Sequence, residues 1–137
     1  MGVHILVGML LGIQSYWDIR HKEIPSSISV VGGLLGFILS VQEGRDWFDI
    51  SMALLPGISL LVIGWISKEC IGYGDGIIIC VLGLFYSWDV LWRICYFSFF
   101  FSAGAALVLF VVLKKSGDDT IPFVPFLMLG WFVNMWI

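Results

Sequence analysis

The chain has 137 residues, of which 60% are hydrophobic and 12% are charged, compared with about 45–50% and about 25% in an average soluble domain. A soluble fold of this length cannot bury that much apolar surface, so the composition predicts a membrane protein with the lipid bilayer as its solvent. The net charge is −3, and Lys and Arg are scattered along the chain. This excludes nucleic acid as a partner, because phosphate binding needs a basic stripe.

Six stretches, taken in chain order, are apolar enough for transmembrane helices, which need about 20 residues. They are Gly2–Trp17, Pro25–Val41, Phe48–Ser67, Ile71–Leu91, Trp92–Leu113 and Ile121–Ile137. The first stretch has no preceding Lys or Arg and no small-residue cleavage site, so we expect no removable signal peptide. Short connections leave no room for a second domain. The sequence therefore predicts a single all-α domain over residues 1–137, a bundle of six transmembrane helices.

Lys and Arg are unevenly distributed among the connections between these stretches. The odd-numbered connections contain five of them and the even-numbered connections two, namely Arg20, Lys22, Lys68, Lys114 and Lys115 against Arg45 and Arg93. Because cytoplasmic connections carry the excess of positive residues, we expect the odd-numbered connections on the cytoplasmic side of the cell membrane. Both termini then lie on the outer side.

Two aspartates fall on the inferred cytoplasmic side. Asp18 ends the first stretch, and Asp75 follows Gly72 and Gly74 at the start of the fourth. The glycines let the backbone approach a neighbouring helix or a substrate closely. A carboxylate drawn into the membrane is costly unless it is protonated, paired or hydrated, so Asp75 is a functional candidate. The alternatives are a solvated helix end for Asp18 and an ordinary glycine turn with an aspartate cap for Asp75.

Two carboxylates that share one water cannot both ionise easily, so one keeps a proton while the other acts as a base. The base takes a proton from water as it attacks a carbonyl, and the acid polarises that carbonyl. Such a pair hydrolyses amides without a metal or a cofactor, and at this stage either aspartate can hold the proton. Cys70, Cys80 and Cys95 have no metal-ligand spacing, so we predict free thiols and no metal site.

Three segments carry a resemblance to a known family. They are Asp18 with Ile-Pro25 six and seven residues later, the Gly72-Tyr-Gly74-Asp75 element, and Pro-Phe-Val-Pro-Phe over residues 122–126. In order and spacing they resemble the type IV prepilin peptidase family over nearly the whole chain. The resemblance implies a membrane aspartic endopeptidase that cleaves the leader peptide of type IV prepilins or pilin-like proteins at the cytoplasmic face. It also implies that Asp18 and Asp75 are catalytic.

The chain departs from the family pattern in three places. Ser26 stands where Asn or a similar residue is usual after Ile-Pro. Gly76-Ile77 stands where many members have Val-Lys or a near variant, so a basic group near the site is missing. The first connection also lacks the cysteine-rich insertion of long, bifunctional members. The chain therefore resembles the short, peptidase-only branch, and we do not expect N-methyltransferase activity.

Pro122 and Pro125 flank Phe123 in the last stretch and remove two backbone donors. Irregular backbone at membrane depth must be covered by protein or water. We therefore predict that Pro122, Phe123 and Pro125 line a groove for an extended leader peptide, with a simple helix start as the alternative. His21 could shuttle protons for Asp18, although a solvated loop histidine is the simpler interpretation.

Two other functions stay open at this stage. A small transporter or channel subunit could use Asp18 and Asp75 as a proton or cation relay. An intramembrane aspartic protease for other substrates, such as signal-peptide remnants, would carry the same pair.

Overall fold

Long, predominantly apolar stretches form helices in this chain, because a helix bonds its backbone polar groups within the segment. The structure is a computed structural model that describes residues 2–21, 26–67, 73–114 and 122–137. Its helices are α1 (Gly2–His21), α2 (Ser26–Gln42), α3 (Trp47–Ile66), α4 (Tyr73–Phe85), α5 (Trp88–Leu107) and α6 (Val124–Trp136). A π-helical segment, Val108–Val112, continues α5. The described residues contain no β-strand, so the all-α prediction is confirmed.

The six helices correspond to the six predicted stretches, and the largest difference lies between the fourth and the fifth. The predicted fourth stretch runs to Leu91, whereas α4 ends at Phe85. The fifth helix starts at Trp88 and not at Trp92. The predicted end of the fourth stretch was therefore wrong by six residues and the predicted start of the fifth by four, which is between one and two helical turns.

Arg45 explains where α4 ends. Its guanidinium donates to the carbonyl oxygens of Gly83 at 3.2 Å, Leu84 at 3.0 Å and Tyr86 at 2.8 Å. These bonds supply the donors that the last turn of a helix lacks. The apolar run itself contains no signal of this cap, because Arg45 lies 38 to 41 residues earlier in the chain.

Two of the described helical segments are long and apolar enough to cross a bilayer by length and composition. They are Trp47–Ile66 and Trp88–Val112. The apolar helices α2, α4 and α6 are shorter, at 17, 13 and 13 residues. The number of helices thus agrees with the prediction, while the crossing of a membrane by all six stays a prediction.

The centre of the bundle is α4, which packs against α3 and α2. Ile78, Ile79 and Leu82 of α4 are at most 2% exposed. The backbones of α3 and α4 approach closely, since a Cβ atom on Gly83 would lie 2.5 Å from the carbonyl oxygen of Ala53. Small residues at a helix interface permit this distance, as is typical of membrane helices. The position of α4 is therefore fixed along its length.

The second set of contacts joins α6 to α5 and α1. The pairing of α1 with α6 is antiparallel, because Asp18 near the end of α1 contacts Val124 while Gly8 lies against the ring of Trp131. Side chains from all parts of the bundle form one continuous core. As a result, the end of α1 and the beginnings of α4 and α6 lie at the same end of the molecule.

Candidate active site

Asp18 lies in the last turn of α1, is 7% exposed, and faces the start of α6. The backbone N–H of Val124 donates to its Oδ2 at 3.2 Å, and the backbone N–H of Phe123 also acts on the carboxylate. The first N–H groups of a helix have no partner within the helix and carry partial positive charge. Asp18 therefore caps α6 from another helix, and this cap opposes the burial that raises the pKa of the Asp18 carboxyl group.

Asp75 lies in the first turn of α4, as predicted. Gly74 precedes it in the same turn, and both residues are half-buried. Burial disfavours an ionised carboxylate, and the charge of Asp18 disfavours it further. Burial and the nearby charge of Asp18 thus act together against an ionised Asp75, whereas at Asp18 the backbone N–H groups of α6 oppose the effect of burial.

The fold brings the two carboxyl groups to the same end of the bundle, near enough for the charge of Asp18 to act on Asp75. They are far apart in sequence and belong to different helices, and only the packing of α1, α4 and α6 places them at one end. Within the described ranges, no three side chains of metal-binding type come together. The arrangement is one in which a carboxylate and a carboxylic acid can share a water molecule. The catalytic role of the pair stays a prediction.

Gly76 lies where α4 crosses α3, and this crossing leaves no room for a larger residue. A Cβ atom there would lie 2.9 Å from Leu61 Cγ and 3.1 Å from the carbonyl oxygen of Gly57 on α3. In the other direction, a Cβ atom on Gly57 would lie 2.7 Å from the backbone nitrogen of Cys80 and 2.8 Å from the carbonyl oxygen of Gly76. The departure from the family pattern at this position thus has a structural reason. The same crossing fixes the start of α4, and with it Asp75.

Pro122, Phe123 and Pro125 surround the start of α6, and all three are half-buried. Pro125 lies in the first turn, where a missing N–H removes no helical hydrogen bond. The ring of Phe123 packs against that of Phe99 on α5, with centroids 5.2 Å apart. The segment therefore begins a helix beside the aspartate pair, and its role as a substrate groove stays a prediction.

Two residues of the predicted motifs, Pro25 and Gly72, lie outside the described residues, and their roles stay predictions. His21 is the last residue of α1 and is exposed. Its ring lies 4.7 Å from that of Trp17, centroid to centroid. This position fits the solvated interpretation of His21.

The role of Arg45 is absent from the sequence-based predictions. Its side chain is 11% exposed and forms an ion pair with Asp49 at 2.6 Å, in addition to its bonds to the end of α4. The spacing of four residues between Arg45 and Asp49 is the one feature of the sequence that indicates this ion pair. In the sequence analysis, Arg45 serves only to predict the orientation in the membrane, whereas in the structure it connects Asp49 of α3 to the end of α4.

A helical bundle that brings two carboxyl groups together, one of them stabilised by a helix N-terminus, has the features of an aspartic peptidase site. The chain belongs to the type IV leader peptidase family, whose sequence pattern matches residues 5–113. The predicted family is confirmed, and with it the prediction of a peptidase.

Individual relatives agree with this assignment. The prepilin leader peptidase/N-methyltransferase of Myxococcus xanthus (strain DK1622) is 27% identical over 123 residues, which are 85% of this chain and 36% of that protein. Leader peptidase HopD of Escherichia coli is 29% identical over 140 residues, covering 96% of this chain and 90% of HopD. The prepilin leader peptidase/N-methyltransferase of Legionella pneumophila is 23% identical over 157 residues, covering 100% of this chain and 53% of that protein. No solved structure gives a significant match.

Proposed function

We propose that the chain is an aspartic endopeptidase that removes the leader peptide of a prepilin or pilin-like protein at the cytoplasmic face of the cell membrane. One observation carries the proposal, namely that Asp18 and Asp75 lie at the same end of the bundle, near enough for the charge of Asp18 to act on Asp75. The family and the names of the relatives supply the type of reaction and the class of substrate.

Their surroundings give the two aspartates different roles. Asp18 accepts hydrogen bonds from backbone N–H groups at the start of α6, which oppose the effect of its burial, so we assign Asp18 as the ionised member and the base. Asp75 is half-buried and faces the charge of Asp18, so it keeps the proton and acts as the acid. This assignment follows from the position of α6, which the sequence alone does not reveal.

The reaction then proceeds in two steps. Asp18 takes a proton from water as the water oxygen attacks the scissile carbonyl carbon, and Asp75 donates its proton to the carbonyl oxygen. The tetrahedral intermediate collapses as the C–N bond breaks. The leaving nitrogen takes the proton from Asp18, and a hydroxyl of the intermediate returns a proton to Asp75. Both carboxyl groups are restored to their starting states.

Insertion in a membrane is supported by the outer surface of the bundle. Large apolar side chains point outward, with Trp47 69%, Trp65 75% and Phe100 65% exposed. Such extensive apolar surface is not stable in water. We include in the proposal six spans, cytoplasmic odd-numbered connections and both termini on the outer side. In this orientation the aspartate pair faces the cytoplasm.

The leader peptide would lie along Pro122, Phe123 and Pro125. These residues border Asp18 through the start of α6, so an extended peptide there would present a carbonyl close to the pair. Replacing both prolines with Ala tests this part. Cleavage at the wild-type rate in the double variant would remove the groove from the proposal and leave the aspartate mechanism in place.

Co-expression of the chain with a prepilin-like substrate tests the mechanism, with leader removal followed on a gel. Asp18→Asn and Asp75→Asn should each abolish cleavage. Asp46→Asn is the matched control, since Asp46 is exposed and lies at the start of α3, at the other end of the bundle. Cleavage that survives either of the first two substitutions would exclude the mechanism. A proton or cation relay would give no cleavage even in the wild type, with ion flux that depends on the same aspartates.

A further inference from the structure

The two aspartates lie on helices that contact each other only sparsely. Asp18 belongs to α1, which packs mainly against α6, and Asp75 belongs to α4, which packs mainly against α3 and α2. Direct packing between α1 and α4 is therefore too limited to fix the distance between the two carboxyl groups. Another element has to hold α1 in its place beside α4.

The helix α2 lies between α1 and α4. A Cβ atom on Gly32 would lie 3.1 Å from Leu10 Cδ1 on α1 and 3.4 Å from Val81 Cγ1 on α4. Further along, a Cβ atom on Gly36 would lie 2.9 Å from Leu84 Cβ on α4. Small residues permit such a close approach of two helices, and the buried face of α2 consists of them alone, namely Ser29, Gly32, Gly36 and Ser40. The position of α2 is thus fixed by α4.

A buried polar contact joins α1 to α2. Nε2 of Gln14 donates to Oγ of Ser29 at 3.0 Å, and each residue is 2% exposed. A buried amide costs free energy unless it is hydrogen-bonded, and hydrogen bonds of this kind stabilise the association of helices in membranes. The contact therefore fixes where this part of α1 lies against α2.

Gln14 also lies close to Asp18 on α1. The two residues are four positions apart, so they lie on the same face of the helix, about 6 Å apart along its axis. Both belong to the buried face of α1. Because backbone hydrogen bonds make a single helical turn rigid, a shift of Gln14 away from Ser29 displaces Asp18 as well.

We propose that Gln14 is a positioning residue that, through its hydrogen bond to Ser29, sets the separation of Asp18 and Asp75. The bond holds α1 against α2, and α2 is packed on α4, which carries Asp75. This inference rests on the proposed function, since it concerns the separation at which the two carboxyl groups share a water molecule. Gln14 itself takes no part in the proton transfers.

Cleavage kinetics of the full chain in detergent, with a prepilin-like substrate, test the effect on the reaction. Gln14→Met keeps the length of the side chain and removes the amide. We expect kcat, corrected for the folded fraction, to fall by about 10- to 100-fold, as when a reacting group is misplaced by about 1 Å. KM should stay at the wild-type value, because a buried side chain does not contact the substrate. A wild-type kcat, or a change in KM alone, would overturn the proposal.

Gln42→Met is the matched control for this substitution. Gln42 is an exposed amide and the last residue of α2, at the end of the bundle away from the aspartates. Both kinetic constants should stay at their wild-type values in this variant. A fall in kcat as large as that in Gln14→Met would show that the position of the amide is irrelevant, which would contradict the proposal.

A double-mutant cycle tests whether Gln14 acts through Ser29. Ser29→Ala removes the acceptor and should lower kcat. The double variant Gln14→Met/Ser29→Ala should be no slower than the slower of the two single variants, because the same hydrogen bond is already lost in each. If the two losses multiplied in the double variant, the two residues would act independently, and the proposed pair would be excluded.

The separation is measured without cleavage by cross-linking. Asp18→Cys and Asp75→Cys are combined in a chain whose three native cysteines are replaced by Ala, and thiol-reactive linkers of graded length are added. With the shortest linker that joins the two thiols, adding Gln14→Met should slow cross-linking at least about tenfold, because the effective concentration falls when the span no longer matches the linker. Adding Gln42→Met should not change the rate.

Cross-linking and cleavage together identify which proposal fails. An unchanged rate of cross-linking in the presence of Gln14→Met would overturn the positioning role, whatever the effect on cleavage. A chain that cross-links as expected, but whose wild type cleaves no prepilin-like substrate, would refute the proposed function and leave the structural role of Gln14 in place.

Discussion

Val124, the first residue of α6, donates its backbone N–H to the carboxylate of Asp18 across 106 residues of sequence. The contact caps one helix and orients a carboxyl group on another. It also places the positive end of the α6 dipole beside the candidate base. The chemistry at Asp18 and the stability of α6 are therefore linked, and suitable substitutions can separate them.

Asp18→Asn should remove the chemistry and keep the cap. The Asn amide oxygen still accepts from Val124, so stability should stay close to that of the wild type, while cleavage falls by about 10²- to 10⁴-fold as the base is lost. Asp18→Ala should lose both functions, with a further decrease of about 0.5–2 kcal/mol in the free energy of unfolding relative to Asn. Leader cleavage on a gel and thermal unfolding in detergent provide the two measurements. An Ala variant as stable as the Asn variant would show that the cap contributes nothing.

The rate of cleavage should depend on pH along a bell-shaped curve. At low pH both aspartates are protonated and no base is present, whereas at high pH both are ionised and no acid is present. The rate should therefore fall on both sides of an optimum when initial rates are measured in detergent over a range of buffers. A control measurement of unfolding at the same pH values separates titration from denaturation. A rate that rises to a plateau without falling again would indicate that one carboxyl group, and not a pair, titrates.

Gly57→Ala should displace α4 and thereby Asp75. The added Cβ would meet the backbone nitrogen of Cys80 at 2.7 Å and the carbonyl oxygen of Gly76 at 2.8 Å, and backbone atoms cannot rotate away. We expect a loss of about 1–3 kcal/mol in stability, as for other overpacked sites, together with reduced cleavage. Both effects are checked by comparing the unfolding midpoint and the cleavage rate of Gly57→Ala with those of the wild type.

Gly104→Ala is the matched control for this substitution. Gly104 lies inside α5, and a Cβ atom there would have no neighbour within 4 Å. Alanine should leave stability unchanged or raise it by up to about 1 kcal/mol, because glycine is a poor helix former. If Gly57→Ala and Gly104→Ala changed the stability by the same amount, close packing between α3 and α4 would not explain the loss in Gly57→Ala.

Arg45→Met should destabilise the end of α4. The substitution removes the ionic partner of Asp49 and leaves the carbonyl oxygens of Gly83 and Tyr86 without the Arg45 donor, while Leu84 keeps the hydroxyl of Ser40. We expect a loss of about 3 kcal/mol, at the low end for a broken buried pair because Asp49 is partly exposed. Arg93→Met is the control, since Arg93 and Asp89 are 3.6 Å apart and their side chains are 51% and 62% exposed. That exposed pair should contribute about 0–1 kcal/mol to stability. Equal losses of stability in Arg45→Met and Arg93→Met would contradict the role of Arg45 at the end of α4.

The sequence was sufficient to predict the number of helices among the described residues and to place Asp18 and Asp75 at the same end of the bundle. Long apolar runs identify helices because the pattern is local, and the positions of Asp18 and Asp75 at run ends are local as well. The resemblance to the leader peptidases also depends on short motifs and is confirmed by the family match over residues 5–113.

The remaining features depend on residues that are distant in sequence. The end of α4 depends on Arg45, which lies at the other side of α3 in the chain. The requirement for glycine at Gly76 depends on Gly57, and the state of Asp18 depends on the start of α6. Periodicity and composition contain no information about such pairings, so these contacts could only be found in the folded chain.

The short lengths of α4 and α6 have a consequence for the supply of water. Each has 13 residues, which at about 1.5 Å per residue gives about 20 Å, whereas the hydrocarbon core of a bilayer is about 30 Å thick. In the proposed membrane insertion, thinning of the bilayer around these helices is one way to match their length. The barrier of hydrocarbon next to the aspartates is then lower than elsewhere in the membrane. Water and the polar leader of a substrate would then reach the proposed hydrolytic centre without an open channel through the bundle.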